Sequence, residues 1–399
     1  MEYVKRITKI EKFINKRKSI LILGPRGSGK SCYINHILKE NNSFMEVNLL
    51  ETDIFQKYLT NPSQLRKEIE YAIQKRDKLC VFIDEIQKIP ALLDEIHLLI
   101  EKYKEKIYFI LTGSSARKLK KSNANLLAGR AIVIPFYNFS FEEIDINQNL
   151  NDVLQYGLLP EVFLEEDPEF KIEILRTYTG TYLKEEIMQE SLVRNVEGFS
   201  KFLELAAFNN SAQVNYSKLS KQINISDQSV KTHYQILEDT LIATKIPAWT
   251  FSLKKQLQQT CKYYFFDNGV LNALTGELKT ELKEASFRYG KLFENFIVNE
   301  IIKYNDIYNF NYNIFHYKTN HSQEIDLILQ KNSNSDPVAI EIKSSIMPNY
   351  KDVKNLEAIL EDYPKAKCYC ICRCKQAYKD KNITFLPFYE GIKEIFNGQ

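Results

Sequence analysis

The sequence predicts an α/β protein of two or three domains, and three observations support that fold class. Apolar strands alternate with helical segments in the first third of the chain, which is the pattern of a parallel sheet. The middle of the chain has helical periodicity, and the last third contains two strands of alternating polarity joined by a turn. A chain of 399 residues is long enough to form two or three separate cores.

The composition is that of a globular protein. Hydrophobic residues make up 44% of the chain and charged residues 26%, and Tyr and Phe, at 24 each against 11 Pro, argue against disorder. The net charge of +3 neither requires nor excludes a nucleic acid partner. No apolar run approaches about 18 residues and the first segment is charged throughout, so we expect no membrane segment and a cytoplasmic protein.

Four of the 7 cysteines occupy alternate positions of the stretch "CYCICRC". On a strand these thiols share one face, with neighbours about 6.6 Å apart along the chain, so one strand cannot surround a tetrahedral zinc ion. We therefore favour a buried sheet face of reduced thiols over a metal site. The four cysteines are Cys368, Cys370, Cys372 and Cys374.

The stretch "ILILGPRGSGKSCYINHILKE" consists of an apolar strand, a glycine-rich loop and an amphipathic helix. Its loop matches the phosphate-binding motif G-x-x-x-x-G-K-[ST] in full. Backbone N–H groups of such a loop surround the phosphates of ATP, Lys30 reaches the β- and γ-phosphates, and the Ser31 hydroxyl binds Mg²⁺. The predicted ATP-binding residues are Gly24, Pro25, Arg26, Gly27, Ser28, Gly29, Lys30 and Ser31.

Two further strands supply the remaining groups that an ATPase needs. The strand in "LCVFIDEIQKIP" ends in Asp84, which would bind Mg²⁺, and Glu85, which would orient or deprotonate the attacking water. The strand in "IYFILTGSS" ends in Thr112 and Ser114, either of which would sense the γ-phosphate. Carboxylates at the carboxyl ends of strands lie at the ligand crevice of an α/β sheet.

Arg117 and Arg130 follow the third strand, and either is a candidate finger that reaches the γ-phosphate of a neighbouring subunit. The alternative for each arginine is a solvated surface position. A finger supplied by a neighbour implies a homo-oligomer, and we expect a ring.

The middle of the chain has the layout of a helix-turn-helix followed by a β wing. A short helix over Tyr216–Ile223 meets a tight turn at residues 224–226, and a second helix starts near Asp227, a good N-cap. The second helix carries Val230, Tyr234 and Leu237 at helical spacing, and "LIATKIPAW" would form the wing.

The exposed face of the second helix is a candidate DNA contact, formed by Gln228, Lys231 and Gln235 with Ser229 and Thr232. Lys231 is the one basic residue among them, and acidic residues of the same helix oppose it. Base reading normally combines Arg, Asn and Gln with phosphate contacts. Base reading is therefore one of three possible roles of this helix, and the others are contact with the DNA backbone and a purely structural role.

Two alternating strands, "EIDLILQ" and "AIEIKSS", form a predicted hairpin in the tail. An antiparallel pairing would place Asp326 opposite Glu341, within about 5.5 Å at Cα, with Lys343 on the same face as Glu341. Two carboxylates and a carbonyl form an oxygen site suited to Mg²⁺, and Glu294 on the preceding amphipathic helix could complete it. The alternative is a cross-strand ion pair on a solvated hairpin.

With these residues placed, the chain resembles a prokaryotic family of AAA-domain ATPases whose carboxy-terminal part is a domain of unknown function. The resemblance rests on an ordered set of motifs that spans nearly the whole chain. They are the phosphate loop, "FIDEIQKIP", "LTGSSARKL", "LLAGR", "YGLLPEV", "ILEDTLIATKIPAW", "KYYFFDNGVLNALTG", "GKLFENFIVNEI" and "EIDLIL…AIEIKSS".

This resemblance implies four segments: an additional-strand AAA-type ATPase at 1–140, a helical lid and winged helix at 141–252, a connecting segment at 253–280, and a nuclease-like tail at 281–399. The tail looks like the PD-(D/E)xK nuclease core, with Glu294, Asp326, Glu341 and Lys343 in its four positions. The implied protein is a Mg²⁺- and ATP-dependent ATPase that acts on DNA, with a tail that cuts or only binds. The alternative is a nucleotide-gated regulatory switch whose winged helix and tail bind a protein partner.

Overall fold

The computed structural model describes residues 3–39, 44–115, 127, 129–144, 150–182, 196–250, 260–318 and 324–397. The chain divides into two units, Met1–Phe139 with Asp239–Leu241, and Ser140–Glu238 with Ile242–Gln399. The first division lies one residue from the boundary predicted at 140, whereas the predicted middle and tail share the second unit. The boundaries at 252 and 280 stay predictions.

The first unit consists of five parallel strands and the helices that cover them. Its elements are α1 (Glu11–Asn15), β1 (Ser19–Leu23), α2 (Lys30–Leu38), β2 (Phe44–Asn48), α3 (Thr52–Thr60), α4 (Ser63–Gln74), β3 (Leu79–Asp84), α5 (Leu92–Tyr103), β4 (Ile107–Gly113) and β5 (Ala131–Pro135), with 3-10 turns at Ile86–Lys88 and Lys104–Lys106.

The strand order of this sheet is β2-β3-β4-β1-β5. All four pairings are parallel, as the alternation of strands and helices predicted. Strand β4 lies between β1 and β3, which is the additional-strand arrangement that the resemblance implied. Leu23 of β1 is level with Gly113 of β4, so the loops that follow these strands leave from the same edge of the sheet.

Both faces of this sheet are covered by apolar side chains. Every residue of β1, β3 and β4 is buried, which agrees with their near-continuous apolar sequences. Successive side chains point to opposite faces, so Leu21 packs with residues of α3, α4 and α5, whereas Ile22 packs with residues of α1 and α2.

The second unit combines helices with two sheets. Its elements are α6 (Leu150–Tyr156), α7 (Pro160–Phe163), α8 (Pro168–Thr177), a π-helical turn (Tyr178–Tyr182), α9 (Val196–Phe208), α10 (Tyr216–Ile223), α11 (Asp227–Asp239, of which Asp239 belongs to the first unit), β6 (Ala243–Ile246), β7 (Lys262–Phe265), α12 (Asn268–Leu274), α13 (Phe287–Ile307), β8 (Asn313–Lys318), β9 (Glu324–Gln330), β10 (Val338–Ile342), α14 (Tyr350–Val353), a 3-10 turn (Lys354–Glu357), α15 (Ala358–Asp362), β11 (Lys367–Cys372), β12 (Tyr378–Asp380), β13 (Ile383–Pro387) and α16 (Phe388–Asn397).

Helix α13 explains why the predicted middle and tail share one unit. It is buried along most of its 21 residues, and its buried residues include amides and charged groups. Asn295 and Asn299 both donate to the backbone carbonyl of Phe265 on β7, at 3.0 and 2.8 Å. These amides satisfy a buried carbonyl of β7, and β7 pairs with β6 of the predicted wing, so helix α13 is joined to the sheet that contains the wing.

The tail sheet has six strands in the order β12-β13-β11-β10-β9-β8. Strands β8, β9 and β10 form an antiparallel meander, and β10, β11 and β13 run parallel to one another. Helix α13 precedes this meander, and α14 and α15 connect its last strand to β11. The hairpin predicted from "EIDLILQ" and "AIEIKSS" is formed by β9 and β10.

In the middle of the chain, α10 covers Tyr216–Ile223 as predicted, and α11 begins at Asp227. The predicted apolar face is buried, since Val230, Tyr234 and Leu237 are each at most 1% exposed. Strand β6 pairs with β7 to form the two-stranded sheet that follows. Residues 251–259 between these strands lie outside the described residues.

The N-cap of α11 differs from the prediction. Ser226, one residue earlier than Asp227, caps the helix by accepting the Ser229 N–H at 3.1 Å. The Asp227 carboxylate instead accepts the hydroxyls of Ser217 and Ser220 on α10, at 2.5 and 2.6 Å. The correction follows from this competition, because a carboxylate engaged across the turn is not available to its own helix terminus.

The cysteine-rich strand is a buried sheet face, as predicted. Cys368, Cys370 and Cys372 on β11 belong to the apolar core of the tail, together with Cys374. All seven cysteines of the chain are described and free, and Cys32 is the exposed one. Among the described residues no helix is long and apolar enough to cross a bilayer.

Burial predicts how these thiols react. With a chromogenic disulfide reagent, the native protein should titrate about one thiol, because only Cys32 is exposed, and the unfolded protein should titrate all 7. The substitution Cys32→Ser should abolish the native reaction. Rapid reaction of several thiols in the native protein would contradict the buried face.

Candidate functional site

The phosphate loop lies between β1 and α2 and requires glycine at two positions. Gly29, which caps α2, has a φ of 91°, a left-handed conformation that strains residues with a side chain. At Gly24 a Cβ atom would lie 2.0 Å from the Phe136 carbonyl oxygen, so the chain after β5 leaves no room for one. Both glycines are positions of the sequence motif, and the structure gives each a steric reason.

Lys30 directs its ammonium group into this loop. Its side chain is buried, and Nζ donates to the carbonyl oxygens of Gly24 at 2.8 Å and Pro25 at 2.9 Å. These two carbonyls hold the ammonium where the loop closes. The charge is therefore already positioned for anionic phosphate oxygens, which would replace the carbonyls as partners.

The end of β3 meets the start of α2 through a direct hydrogen bond. Ser31 Oγ donates to Asp84 Oδ2 at 2.7 Å, and the buried Thr112 hydroxyl donates to Oδ1 of the same carboxylate. The Glu85 N–H donates to Thr112 Oγ1 at 3.2 Å, so Thr112 orients the backbone after β3 as well. A hydroxyl and a carboxylate side by side are oxygen ligands that Mg²⁺ accepts, and these residues fit that ion.

Glu85 and Ser114 are joined through Gln87, a residue that sequence reasoning missed. Gln87 Nε2 donates to Glu85 Oε2 and, at 2.9 Å, to Ser114 Oγ. Ser114 Oγ lies 3.3 Å from Glu85 Oε2. The one signal in the sequence was the position of Gln87, two residues after Glu85 in "FIDEIQKIP".

Arg6 is a second residue that sequence reasoning missed, and no motif marked it. Its guanidinium donates to the Ser28 carbonyl of the phosphate loop at 2.9 Å and to the Tyr137 carbonyl at 2.7 Å. It also lies over the rings of Phe136 and Phe139, at 4.4 and 5.0 Å from their centroids. This buried cation therefore supports the loop from the side of β5.

The two candidate arginine fingers are placed differently. Arg130 is described, and its Nε lies 2.6 Å from Glu101 Oε1 of the same chain in a solvated ion pair. Arg117 lies outside the described residues. Whether either arginine reaches a neighbouring subunit stays a prediction.

In the tail, the register of the hairpin places the two predicted carboxylates next to each other. Ile340 pairs with Leu327, and continuing that register by one residue sets Glu341 opposite Asp326. Asp326 Oδ2 accepts the backbone N–H of Ile342 at 2.8 Å. Lys343 Nζ lies 2.7 Å from Glu341 Oε1, so Lys343 and Glu341 share a face of the strand.

Glu294 of α13 is already occupied by other partners. Its Oε1 accepts the hydroxyl of the buried Tyr264 at 2.8 Å, and its Oε2 lies 3.0 Å from Lys291 Nζ and 3.3 Å from the Ser211 hydroxyl. Sequence reasoning assigned Glu294 to a metal shell without predicting this set of donors.

A buried lysine from β7 stands beside these carboxylates. Lys262 is 2% exposed, and its Nζ lies 2.5 Å from Glu324 Oε1 and 3.9 Å from Glu294 Oε1. Burial lowers the pKa of Lys262, but Glu294, Asp326 and Glu324 offset that effect, and the pKa is raised. Removing one partner of such a pair leaves a buried charge uncompensated, which typically costs about 3–5 kcal/mol.

Asp326 and Glu341 of the hairpin are harder to ionise than ordinary carboxyl groups. Burial raises the pKa of Asp326 well above its usual range, and Glu341 and Glu294 raise it further. Burial also raises the pKa of Glu341, although Lys343 and Asn355 oppose the change. Burial is therefore the main cause for both residues, and neighbouring carboxylates add to it at Asp326.

These groups are a poor fit to a divalent cation in the tail. Glu341 accepts from Lys343 and Asn355, and Glu294 accepts from Tyr264 and Lys291. Within the described ranges no three His, Cys, Asp or Glu side chains are grouped to hold a metal ion. Side chains of the protein donate to the oxygens of Glu294 and Glu341, and a metal shell formed by Glu294, Asp326 and Glu341 stays a prediction.

The candidate DNA face of α11 is exposed at Gln228, Lys231 and Gln235. Lys231 Nζ lies 5.6 Å from the ring centroid of Tyr216 on α10. Further exposed lysines follow on the neighbouring elements, Lys218 and Lys221 on α10 and Lys245 on β6. The cations of this motif are thus spread over three elements and are not concentrated on α11.

Comparisons with protein families divide the chain into three parts. Residues 16–145 match a family described as an AAA domain. Residues 147–281 match a domain of unknown function, DUF8612, and residues 289–390 match another, DUF4143. The first match and the loop geometry identify the amino-terminal third as an AAA-type P-loop ATPase domain. The nuclease-like fold of the tail stays a prediction.

Several relatives share low identity with the chain. An uncharacterized protein of Mycobacterium tuberculosis is 21% identical over 291 residues, which cover 72% of this chain and 63% of that protein's length. An uncharacterized protein of Methanocaldococcus jannaschii is 22% identical over 385 residues, covering 90% and 82% of the two chains. A proteasome-activating nucleotidase of Methanoregula boonei is 26% identical over 181 residues, covering 43% and 37%.

Solved structures of other proteins also align with the chain. A Walker-type ATPase of Pyrococcus abyssi aligns with a TM-score of 0.46 and 15% identity, covering 68% of this chain and 96% of the other.

The raised pKa of Asp326 predicts a pH-dependent gain in stability for Asp326→Asn. In the wild-type fold the protonated carboxyl is favoured, so stability falls as pH rises through the raised pKa. The amide cannot ionise and can still accept the Ile342 N–H. We expect the variant to have the higher Tm at pH 8 and the difference to shrink toward acid pH.

Thermal unfolding followed by circular dichroism between pH 5 and 9 measures this difference. Asp336→Asn is the matched control, because it removes the same charge from an exposed position in the turn of the same hairpin. A lower Tm of Asp326→Asn than of wild type at every pH would contradict the raised pKa of Asp326.

Proposed function

We propose that this protein is a Mg²⁺- and ATP-dependent ATPase that acts on DNA through its middle and tail segments. The observation that supports the hydrolytic part is the hydrogen bond between Ser31 and Asp84, which joins the phosphate loop to the carboxylates after β3. Lys30 follows β1 and Glu85 follows β3, and these parallel strands end at the same edge of the sheet.

Each residue of this site has a defined part in the proposal. The Lys30 ammonium exchanges its two carbonyl partners for oxygens of the β- and γ-phosphates. Bound to Ser31 and Asp84, Mg²⁺ would neutralise charge on the phosphates. Glu85 orients the attacking water and accepts its proton, and Ser114 at the end of β4 contacts the γ-phosphate.

A ring in which Arg130 completes the neighbouring site is part of the proposal. The ion pair of Arg130 with Glu101 is solvated, with side-chain exposures of 34% and 57%. Exposed pairs of this kind contribute about 0–1 kcal/mol, so Arg130 can leave Glu101 at little cost.

For DNA, the exposed lysines of α10, α11 and β6 support contact with the phosphate backbone more than base reading. Four cations lie on a helix-turn-helix and the strand that follows it, whereas α11 itself offers Lys231 and neutral amides. Phosphate contacts position a protein on DNA without specifying sequence. We therefore propose binding with little sequence preference.

The rival function is a nucleotide-gated switch that binds a protein partner. It is favoured by the acidic residues of α11, Asp227 and Glu238, which oppose Lys231, and by the exposed ring of Phe208, which is 64% exposed at the end of α9. This function requires no DNA, and the two proposals differ in whether DNA changes the rate of hydrolysis.

The substitution Glu85→Gln tests the hydrolytic proposal. It should retain ATP binding and lower kcat by at least about 100-fold, because the amide cannot accept the proton of the water. Lys30→Ala should instead lose tight ATP binding. Phosphate release gives kcat, and calorimetry with ATP gives the Kd. Hydrolysis by Glu85→Gln at the wild-type rate would show that Glu85 is not the base.

For the tail we propose DNA binding without cleavage, because its carboxylates are already paired with lysines and amides of the chain. Calorimetric titration with Mn²⁺, without nucleotide, should give the same heat for wild type and Asp326→Asn, whereas Asp84→Asn should lose a site. No duplex, single-stranded or branched DNA should be cut with Mg²⁺ or Mn²⁺. Cleavage that Lys343→Ala abolishes would restore the metal-dependent nuclease.

A further inference from the structure

Gln87 lies between the side chains that end β3 and β4 in the candidate ATPase site. Its Nε2 donates to Glu85 Oε2 and to Ser114 Oγ, and Ser114 Oγ is itself within hydrogen-bond distance of Glu85 Oε2. Gln87 is 5% exposed and Ser114 2%. The buried amide of Gln87 therefore contacts Glu85, the proposed base, and Ser114, the residue proposed to bind the γ-phosphate.

The orientation of this amide is set by Glu85. Gln87 Oε1 accepts no hydrogen bond from any described residue, although it is buried. The reverse orientation would place Oε1 against the carboxylate, where two oxygens repel each other. An unpaired buried acceptor is costly. In the observed orientation, Oε1 is unpaired and the N–H groups of Gln87 donate to Glu85 and Ser114.

The backbone around Gln87 is adapted to this contact. Glu85 has a φ of 59°, which is uncommon for a residue with a side chain, and leads into the 3-10 turn Ile86–Lys88 that carries Gln87. On the other side, a Cβ at Gly113 would lie 2.9 Å from Gln87 Oε1 and 3.1 Å from Leu23 Cδ2. The glycine at the end of β4 thus leaves room for the amide.

We propose that Gln87 is a positioning residue for ATP hydrolysis: its amide fixes the Glu85 carboxylate against Ser114 at the end of β4. This inference rests on the proposed role of Glu85 as the base. The Gln87 amide donates to Glu85 and Ser114 and not to the described part of the phosphate loop, so we expect its effect on the chemical step and not on nucleotide binding.

The isosteric substitution Gln87→Glu in the full-length protein separates donation from packing. It keeps the size of the side chain and replaces the donor with a second carboxylate beside Glu85. We expect kcat to fall by about 10- to 100-fold, the factor of one charge-assisted hydrogen bond, with the Kd for ATP within about twofold of wild type. Gln64→Glu is the matched control, because Gln64 donates to Glu68 in the same way on α4.

The outcomes distinguish this inference from the function on which it rests. If Glu85→Gln stalls hydrolysis while Gln87→Glu keeps the wild-type kcat, Gln87 is a packing residue and the inference is wrong. If Gln87→Ala hydrolyses ATP faster than wild type, Gln87 restrains Glu85 and the inference is also wrong. If Glu85→Gln hydrolyses normally, the proposed function fails first. If Gln87→Glu raises the Kd for ATP by the same factor by which it lowers kcat, the substitution disturbs the whole site. That result would exclude a role of Gln87 in positioning Glu85.

Discussion

The parallel pairing of β4 between β1 and β3 is the constraint on which the candidate ATPase site depends. It brings the ends of three strands to one edge, so that Ser31, Asp84 and Thr112, which are far apart in the sequence, are joined by hydrogen bonds. The pairing is stabilised by burial, since full burial of one large apolar side chain contributes about 1.5–3 kcal/mol and every residue of these strands is buried. The packing of apolar strands thus brings together polar side chains that are distant in the sequence.

In the tail, the fold likewise brings together charged side chains that are distant in the sequence. Glu294, Asp326 and Glu341 lie near one another, and the lysines beside them are Lys262 of β7, Lys291 of α13 and Lys343, which follows β10. Because Lys262 belongs to the strand paired with β6, the helix-turn-helix segment and the tail are joined by buried charges as well as by apolar contacts. Such a network needs no added cation to balance it, which is why we favour a tail that binds over a tail that cuts.

Short-range patterns made much of this arrangement predictable. The strand-loop-helix around Lys30 follows from the phosphate-loop motif, and Asp84 and Thr112 follow from the apolar strands that they end. The hairpin register follows from the similar distances of Asp326 and Glu341 from the middle of the turn. Gln87, Arg6 and Lys262 were not predictable, because their roles depend on residues that only the fold brings near: Ser114, the Ser28 carbonyl and Glu294. The cap at Ser226 was missed for the same reason, since Asp227 is engaged by a neighbouring helix.

We propose that ATP hydrolysis in the first unit is coupled to DNA bound elsewhere in the chain. The most direct measurement is the rate of phosphate release by the full-length protein, alone and with single-stranded, duplex and branched DNA at equal nucleotide concentration. We expect at least one form of DNA to raise kcat severalfold, and the increase to weaken with added salt because the proposed contacts are to phosphates. A rate that no form of DNA changes, in a preparation that hydrolyses ATP, would contradict it and favour the switch that binds a protein partner.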